Sequence, residues 1–221
     1  MYEGVLILSP PRSGSSCLTA CLSFQGIHLG ASPTTVKDAF NAKGYFENQA
    51  VLSFNEKVLQ SISADIFQTA PLNARQCREA TQFAGELAGL MTSQFEARPF
   101  LIKDPRIALL QELYRQVLPP VRIISLRRDR QATARSIHHM THALSRPTVT
   151  PEKGERICDL YFQLIDDMAR EVPSIRVHFE DLLADSDRVL AGLCEFLELP
   201  FTDEGRRESR EFIDQTLVRF A

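Results

Sequence analysis

Three short, largely apolar runs, each ending abruptly in basic residues, constrain this chain more than any other feature. Val5–Leu8 passes through Pro10 and Pro11 to Arg12. Residues 99–102 run into Lys103-Asp-Pro-Arg106, and Val121–Leu126 runs straight into Arg127-Arg128-Asp129-Arg130. Short apolar runs bounded by breakers read as buried strands, and the segments between them carry helical periodicity. Strands alternating with helices predict an α/β fold with a parallel sheet. In such sheets ligands bind beyond the carboxyl ends of the strands. The net charge is −3, so positive charge gathered on one sheet edge is a local feature and not a general property. Solvated helix caps are the bland alternative, and three coincident strand ends weigh against it.

The first of these ends is a phosphate cradle in outline. The two prolines stop the strand, and Gly14 can take the positive φ that a tight turn demands. Ser15 and Ser16 stand where a helix would begin, ahead of an apolar run from Cys17 to Phe24. A helix N-terminus offers unpaired N–H groups and partial positive charge, to which Arg12 adds a full charge and Ser13, Ser15 and Ser16 add hydroxyls. This is not a Walker A loop, because Ser15 and not lysine follows the glycine. Taken alone, the stretch reads equally as a turn whose glycine serves only the turn.

Further along, helices are expected over 16–25, 47–61, 74–96, 108–117, 130–143, 152–170, 180–183 and 188–197, with a last short strand over 174–179 and a charged tail. Residues 27–46 are turn-rich, with Gly30, Pro33 and Gly44, and 147–151 is a loop. At 221 residues the chain is expected to form one domain, 1–221. Five cysteines without a framework, and no secretory pattern, predict a reducing, cytoplasmic setting. Cys17 and Cys21 read as core. Neither the charge balance nor the apolar runs predict nucleic acid or membrane as a partner. Nothing in the sequence sets an oligomeric state.

The constellation resembles the PAPS-dependent sulfotransferases, bacterial type, whose donor is 3′-phosphoadenosine 5′-phosphosulfate. Pro11-Arg-Ser-Gly-Ser-Ser16 is similar to the family's loop for the 5′-phosphosulfate. Lys103-Asp-Pro-Arg106 resembles a segment of many bacterial members. Arg128-Asp129, with Ser136 eight residues after the arginine, matches the element that binds the 3′-phosphate, and Val177–Ala184 resembles a [Tyr/Phe]-Glu-Asp-Leu segment whose acid is structural. The resemblance implies a P-loop-like three-layer sandwich with a central, mostly parallel sheet flanked by helices. It implies PAPS as co-substrate, held by Arg12, Ser13, Gly14, Ser15, Ser16, Arg128 and Ser136. The reaction implied is in-line sulfuryl transfer to a hydroxyl or amine of a small-molecule, carbohydrate or peptide acceptor. The transferred group carries less negative charge than a terminal phosphate, so no bridging metal is required.

Two departures matter. The cytosolic small-phenol branch has Lys-x-His where this chain has Lys103-Asp104-Pro105, and its glycine-rich C-terminal closing loop is absent. A base must therefore come from elsewhere. Asp104 lies between two cations, which suits it to orienting them or capping a helix. His138, His139 and His142 fall on the 3′-phosphate side and read as surface or pocket-lining residues rather than metal ligands. Glu47, in Gly44-Tyr-Phe-Glu47, a stretch similar to one in bacterial members, is expected to begin a helix and project into the acceptor pocket as the base. Lys103 is expected to stabilise the bridging oxygen, and Arg12 the leaving phosphate. Tyr45, Phe46, Phe54 and Phe67 read as core one by one and as the acceptor side together. Arg206, Arg207 and Arg210 read as a solvated face, with closure over the nucleotide as the alternative. The rival functions are a magnesium-dependent P-loop kinase, using Asp104 or Asp129 for the metal, and a non-catalytic nucleotide-binding domain.

Overall fold

The computed structural model describes residues 2–34, 36–144 and 147–217. In chain order the elements are β1 Gly4–Leu8, α1 Ser15–Phe24, β2 Pro33–Thr34, β3 Glu47–Asn48, α2 Gln49–Ser61, α3 Ala74–Thr81, α4 Ala84–Gln94 and β4 Phe100–Lys103. There follow α5 Arg106–Leu109, α6 Gln111–Arg115, β5 Val121–Arg127, α7 Arg130–Ala143, α8 Pro151–Ala169, β6 Ser174–His178, α9 Phe179–Ala184, α10 Ser186–Phe196, α11 Asp203–Phe212 and a 3₁₀ turn, Gln215–Leu217.

Four strands form one parallel sheet in the order β4-β1-β5-β6, with Ile7 level with Lys103 and Leu8 level with Ser125. Every residue of β1 is buried, as a strand covered on both faces requires. Successive side chains point to opposite faces, and the core divides accordingly. Leu6, Leu8, Phe100, Ile102 and Ile123 pack with α2, α4, α7 and α8. Val5, Ile7, Leu101, Ile124 and Leu126 pack with α1, α9 and α10. The expected three layers around a parallel sheet are therefore present.

Local differences have local causes. The expected helix over 74–96 is two helices: α3 opens on a capping box between Asn73 and Gln76, and the chain turns at Gln82–Phe83 before α4. The 108–117 helix starts earlier, at Arg106, and breaks at Leu110 into α5 and α6. Glu47 does not begin a helix. It pairs with Thr34 in a small antiparallel ribbon, and the helix starts behind Asn48, whose side chain accepts from the N–H groups of Ala50 and Val51. The charged tail contains α11, which packs on α1. Gln25 Oε1 accepts from Thr202 N at 3.0 Å, a Cβ on Gly205 would stand 2.6 Å from the Phe24 carbonyl, and the Phe24 and Phe212 rings meet edge-on at 5.5 Å.

Candidate active site

β1 lies between β4 and β5, so all three cationic strand ends open on the same side of the sheet. Between β1 and α1 the backbone enters the left-handed region twice, at Arg12 (φ 71) and Gly14 (φ 86). Gly14 is the N-cap of α1 and gives it no side-chain cap, so the helix presents its first N–H groups uncovered. A side chain there would also collide with Phe179, whose ring stands 2.4 Å from an ideal Cβ. Position 14 demands glycine for its dihedral and for its neighbour. Ser13 is fully buried, with a hydroxyl that makes no hydrogen bond.

Arg12 and Arg128 interlock. Arg12 Nη2 donates to the Phe40 carbonyl at 2.7 Å and Nε to Ser136 Oγ at 3.3 Å, while Arg128 Nη1 donates to the Arg12 carbonyl at 3.2 Å. Burial lowers the pKa of Arg128; the Glu180 carboxylate opposes that shift and neighbouring Arg12 adds to it. The bend that brings Ser136 back towards Arg128 is made at Asp129. Its side chain caps α7 by accepting from Ala132 N, and its N–H donates to Glu180 Oε1 at 2.9 Å. Gly154 then lets α8 close on α7, since a Cβ there would meet Ala134 Cα at 2.9 Å.

β4 delivers Lys103, 3% exposed, whose Nζ donates to Glu47 Oε1 at 2.7 Å and to Ser16 Oγ at 3.4 Å. Asn41 Nδ2 donates to the same serine at 3.1 Å. Burial raises the Glu47 pKa. Lys103 and Arg106 pull it down and Asp104 pushes it further up, leaving it above the ordinary carboxylate value. A carboxylate, an ammonium and the first turn of α1 thus meet at one point, brought from three distant segments.

A cleft of about 570 Å³ joins these groups. Arg12, Gly14, Ser15, Ser16, Glu47, Lys103, Arg128, Ser136 and Phe179 line it, together with the apolar Leu52, Ile66, Phe67, Met140 and Leu144. Every expected site residue except Ser13 lines it. Arg128 with Ser136 and the loop from Arg12 to Ser16, read separately in sequence, line one cleft. None of His138, His139 and His142 lines it: His138 Nδ1 lies 2.9 Å from the Val149 carbonyl and stacks on His142, and His139 meets Phe40 edge-on. Arg206 and Arg210 pair with Asp187, Arg207 pairs with Glu204, and none of the three lines the cleft. Phe212 and Asp214 line the cleft, and Phe212 packs on Phe46 while its carbonyl accepts from Lys43 Nζ. Cys17, expected in the core, is half-buried on the cleft wall. Tyr45 and Phe67 line the cleft as well, whereas Phe54 is core.

Sequence reasoning missed Phe40 and Asn41, which enter through a carbonyl and an amide and carry no motif. It also missed Asp38, which accepts from Tyr45 OH at 2.8 Å and, with burial the larger cause, pushes that phenol up to about 12. The carboxylates a magnesium kinase would use are both engaged. Asp129 caps α7, and Asp104 accepts from Arg106 N, Arg106 Nη1 and Asn55 Nδ2. Among the described residues no group of three His, Cys, Asp or Glu is arranged to hold a metal ion. None of their helices is long and apolar enough to cross a membrane.

The family model described as the sulfotransferase family matches residues 4–203, and the chain belongs to that family. The family and the fold support sulfuryl transfer in general as its activity. The fold is similar to that of the sulfotransferase domain from the curacin biosynthetic pathway (TM-score 0.59, 17% identity, covering 93% of this chain and 77% of that one). It is also similar to the sulfotransferase domain from the Synechococcus PCC 7002 olefin synthase (0.58, 19%, 92% and 76%). A third similar structure is retinol dehydratase in complex with androsterone and inactive cofactor PAP (0.50, 13%, 95% and 64%). A search of the curated proteins found no match.

Proposed function

We propose that this sulfotransferase-family chain uses PAPS as donor and moves its sulfuryl group, in line and without a metal, to a hydroxyl or amine of an acceptor. The observation that carries the reading is the meeting of Lys103, Glu47 and Ser16 at the start of α1, between a cationic pocket and an apolar one. The residues fit the donor. The uncapped N-terminus of α1, Arg12 and the buried, unpartnered Ser13 hydroxyl suit a 5′-phosphosulfate, and Arg128 with Ser136 suits a 3′-phosphate.

The donor supplies the sulfuryl group and leaves as PAP with the electron pair of the broken S–O bond. Glu47 accepts the proton of the acceptor hydroxyl as the new O–S bond forms. Burial raises its affinity for that proton, while Lys103 holds it ionised beforehand. Lys103, buried and so screened from water, stabilises the bridging oxygen, and half-buried Arg12 the charge developing on the leaving phosphate. The acceptor is a small molecule, carbohydrate or peptide in this reading. The setting is cytoplasmic, supported by five cysteines that are all free thiols.

The test is donor discrimination by calorimetry. PAP binds roughly ten- to a hundredfold tighter than 5′-AMP, the effect of about 1.5–3 kcal/mol for a charged hydrogen bond. Arg128→Ala removes that preference and leaves AMP binding nearly unchanged. Equal affinities in the unaltered protein overturn the reading.

A further inference from the structure

Beyond Lys103 and Glu47 the cleft changes character. Leu52 on α2 and Ile66 and Phe67 in the segment after it form one wall, all half-buried. Along α7, Ser136, Met140 and Leu144 follow at four-residue steps and line the same cleft, so the face that begins at a phosphate-side hydroxyl turns apolar. Leu144 stands about 12 Å from Ser136 along the helix axis. Among the described residues the exposed large apolar side chains are Val36, 62% exposed, and Leu144, 45% exposed; both belong to this cleft. A soluble protein has no packing reason to leave two such side chains at the mouth of one groove, and such patches mark ligand sites. Arg106 and Glu56 are paired with each other at 2.7 Å, and the other charged groups towards Val36 are engaged as well: Asp38 accepts from Tyr45 OH, Lys43 Nζ donates to the Phe212 carbonyl and Asp214 accepts from Thr216. A carbohydrate would leave its many hydroxyls facing Leu52, Ile66, Phe67, Met140 and Leu144 without partners, at the cost of burying unpaired polar groups.

We propose that the acceptor is an apolar alcohol, with its hydroxyl at Glu47 and a hydrocarbon chain lying along this groove towards Val36 and Leu144. The proposal names the substrate class of the sulfuryl-transfer reading above and rests on it. In the transfer, the alcohol oxygen forms the O–S bond, its proton passes to Glu47, and PAP departs with the electron pair of the broken bond.

The experiment uses the full chain with PAPS and a straight-chain series from butanol to octanol, beside methyl glucoside and a serine- and tyrosine-containing peptide. The expected result is a rise in kcat/KM of roughly two- to fourfold per methylene, the upper figure being what about 0.8 kcal/mol per buried CH₂ gives. Glucoside and peptide lie below octanol. Leu144→Asp, at an exposed position where folding is secure, lowers kcat/KM for octanol about tenfold while PAP affinity stays unchanged, and Phe67→Asp does the same from the inner wall. Octyl sulfate, the product, binds the protein and loses affinity in both variants. A flat chain-length series, or glucoside or peptide ahead of octanol, overturns the proposal. Failure of PAP to bind sinks the donor reading instead, because octyl sulfate binding and its loss in Leu144→Asp score the groove without nucleotide.

Discussion

Part of the cleft lining comes from strand termini and the bend after β5, whereas the part proposed for the acceptor comes from α2, the segment after it and the last turn of α7. At the first end Arg12, Lys103 and Arg128 are positioned by the register of three adjacent parallel strands, and their contacts include backbone carbonyls, serine hydroxyls and the Glu47 carboxylate. At the second, half-buried Leu52, Ile66 and Phe67 are positioned by packing, and the ion pair Arg106–Glu56 sits among them. A register admits no gradual change, but packed walls tolerate repacking. On the proposed reading the strand-end side is the part where single atoms decide function, and the packed side the part where volume and polarity do.

The largest expected effect tests the junction of the two. Glu47→Gln keeps the shape and an acceptor for Lys103 but removes basicity. Turnover falls on the order of a hundred- to ten-thousandfold, the range general-base catalysis supplies, with PAP affinity unchanged. The same variant has a pH signature. Activity is lost as pH falls through the Glu47 pKa, because a protonated acid cannot accept the acceptor's proton. Burial has raised that pKa, so the acid limb of the native enzyme lies above the ordinary glutamate range near about 4.3 and is flat in the variant. An active variant with an unchanged limb places the proton elsewhere.

Next in size is Arg12→Ala. Charge on the leaving phosphate grows towards the transition state, so single-turnover rates fall roughly ten- to a hundredfold and PAP binding weakens by less. Equal losses in both would make Arg12 a simple anchor.

Two glycines sharpen the contrast in stability. Gly14→Ala places a side chain at φ 86 and against the Phe179 ring, and costs about 1–2 kcal/mol or more from the left-handed backbone alone. In a chain of this size that lowers the Tm by about 2–4 °C per kcal/mol in a thermal melt. Gly89 lies exposed in α4 with nothing near its Cβ, so Gly89→Ala has the opposite sign, about 0.5–1 kcal/mol of added stability and a rise of roughly 1–4 °C. The same substitution thus separates a glycine fixed by the cradle from one with no local task.

The same division explains what could be read from the sequence. The cradle was legible because its parts are consecutive: prolines, Arg12, Gly14 and the serines all lie within the seven residues Pro10–Ser16. Arg128 and Ser136 were picked out by their resemblance to a family element, an arginine with a serine eight residues on, and both line the cleft. The layers followed from alternating periodicity. The helix start at Glu47 was misplaced by two residues, although the Asn48 cap ahead of a periodic run was a usable signal. The breaks at Gln82–Phe83 and Leu110 came from tertiary packing that overrides weak local propensity. Asn41 on Ser16, the Phe40 carbonyl on Arg12 and Phe212 on Phe46 join segments far apart in sequence, and no spacing rule reaches them.

The packing of α11 and Phe212 against α1, Lys43 and Phe46 has a consequence for the order in which the protein takes shape. Residues made first open the cleft, and residues made nearly two hundred positions later supply one of its walls. As a ribosome delivers the chain from its N-terminus, β1, β4 and β5 can pair and bring their cations together well before Phe212 has emerged. A nascent chain therefore passes through a stage with its positive strand ends assembled and the cleft still lacking that wall. The last long-range contacts are also the slowest kind to form, since closing so large a loop is an entropic cost met before any contact repays it.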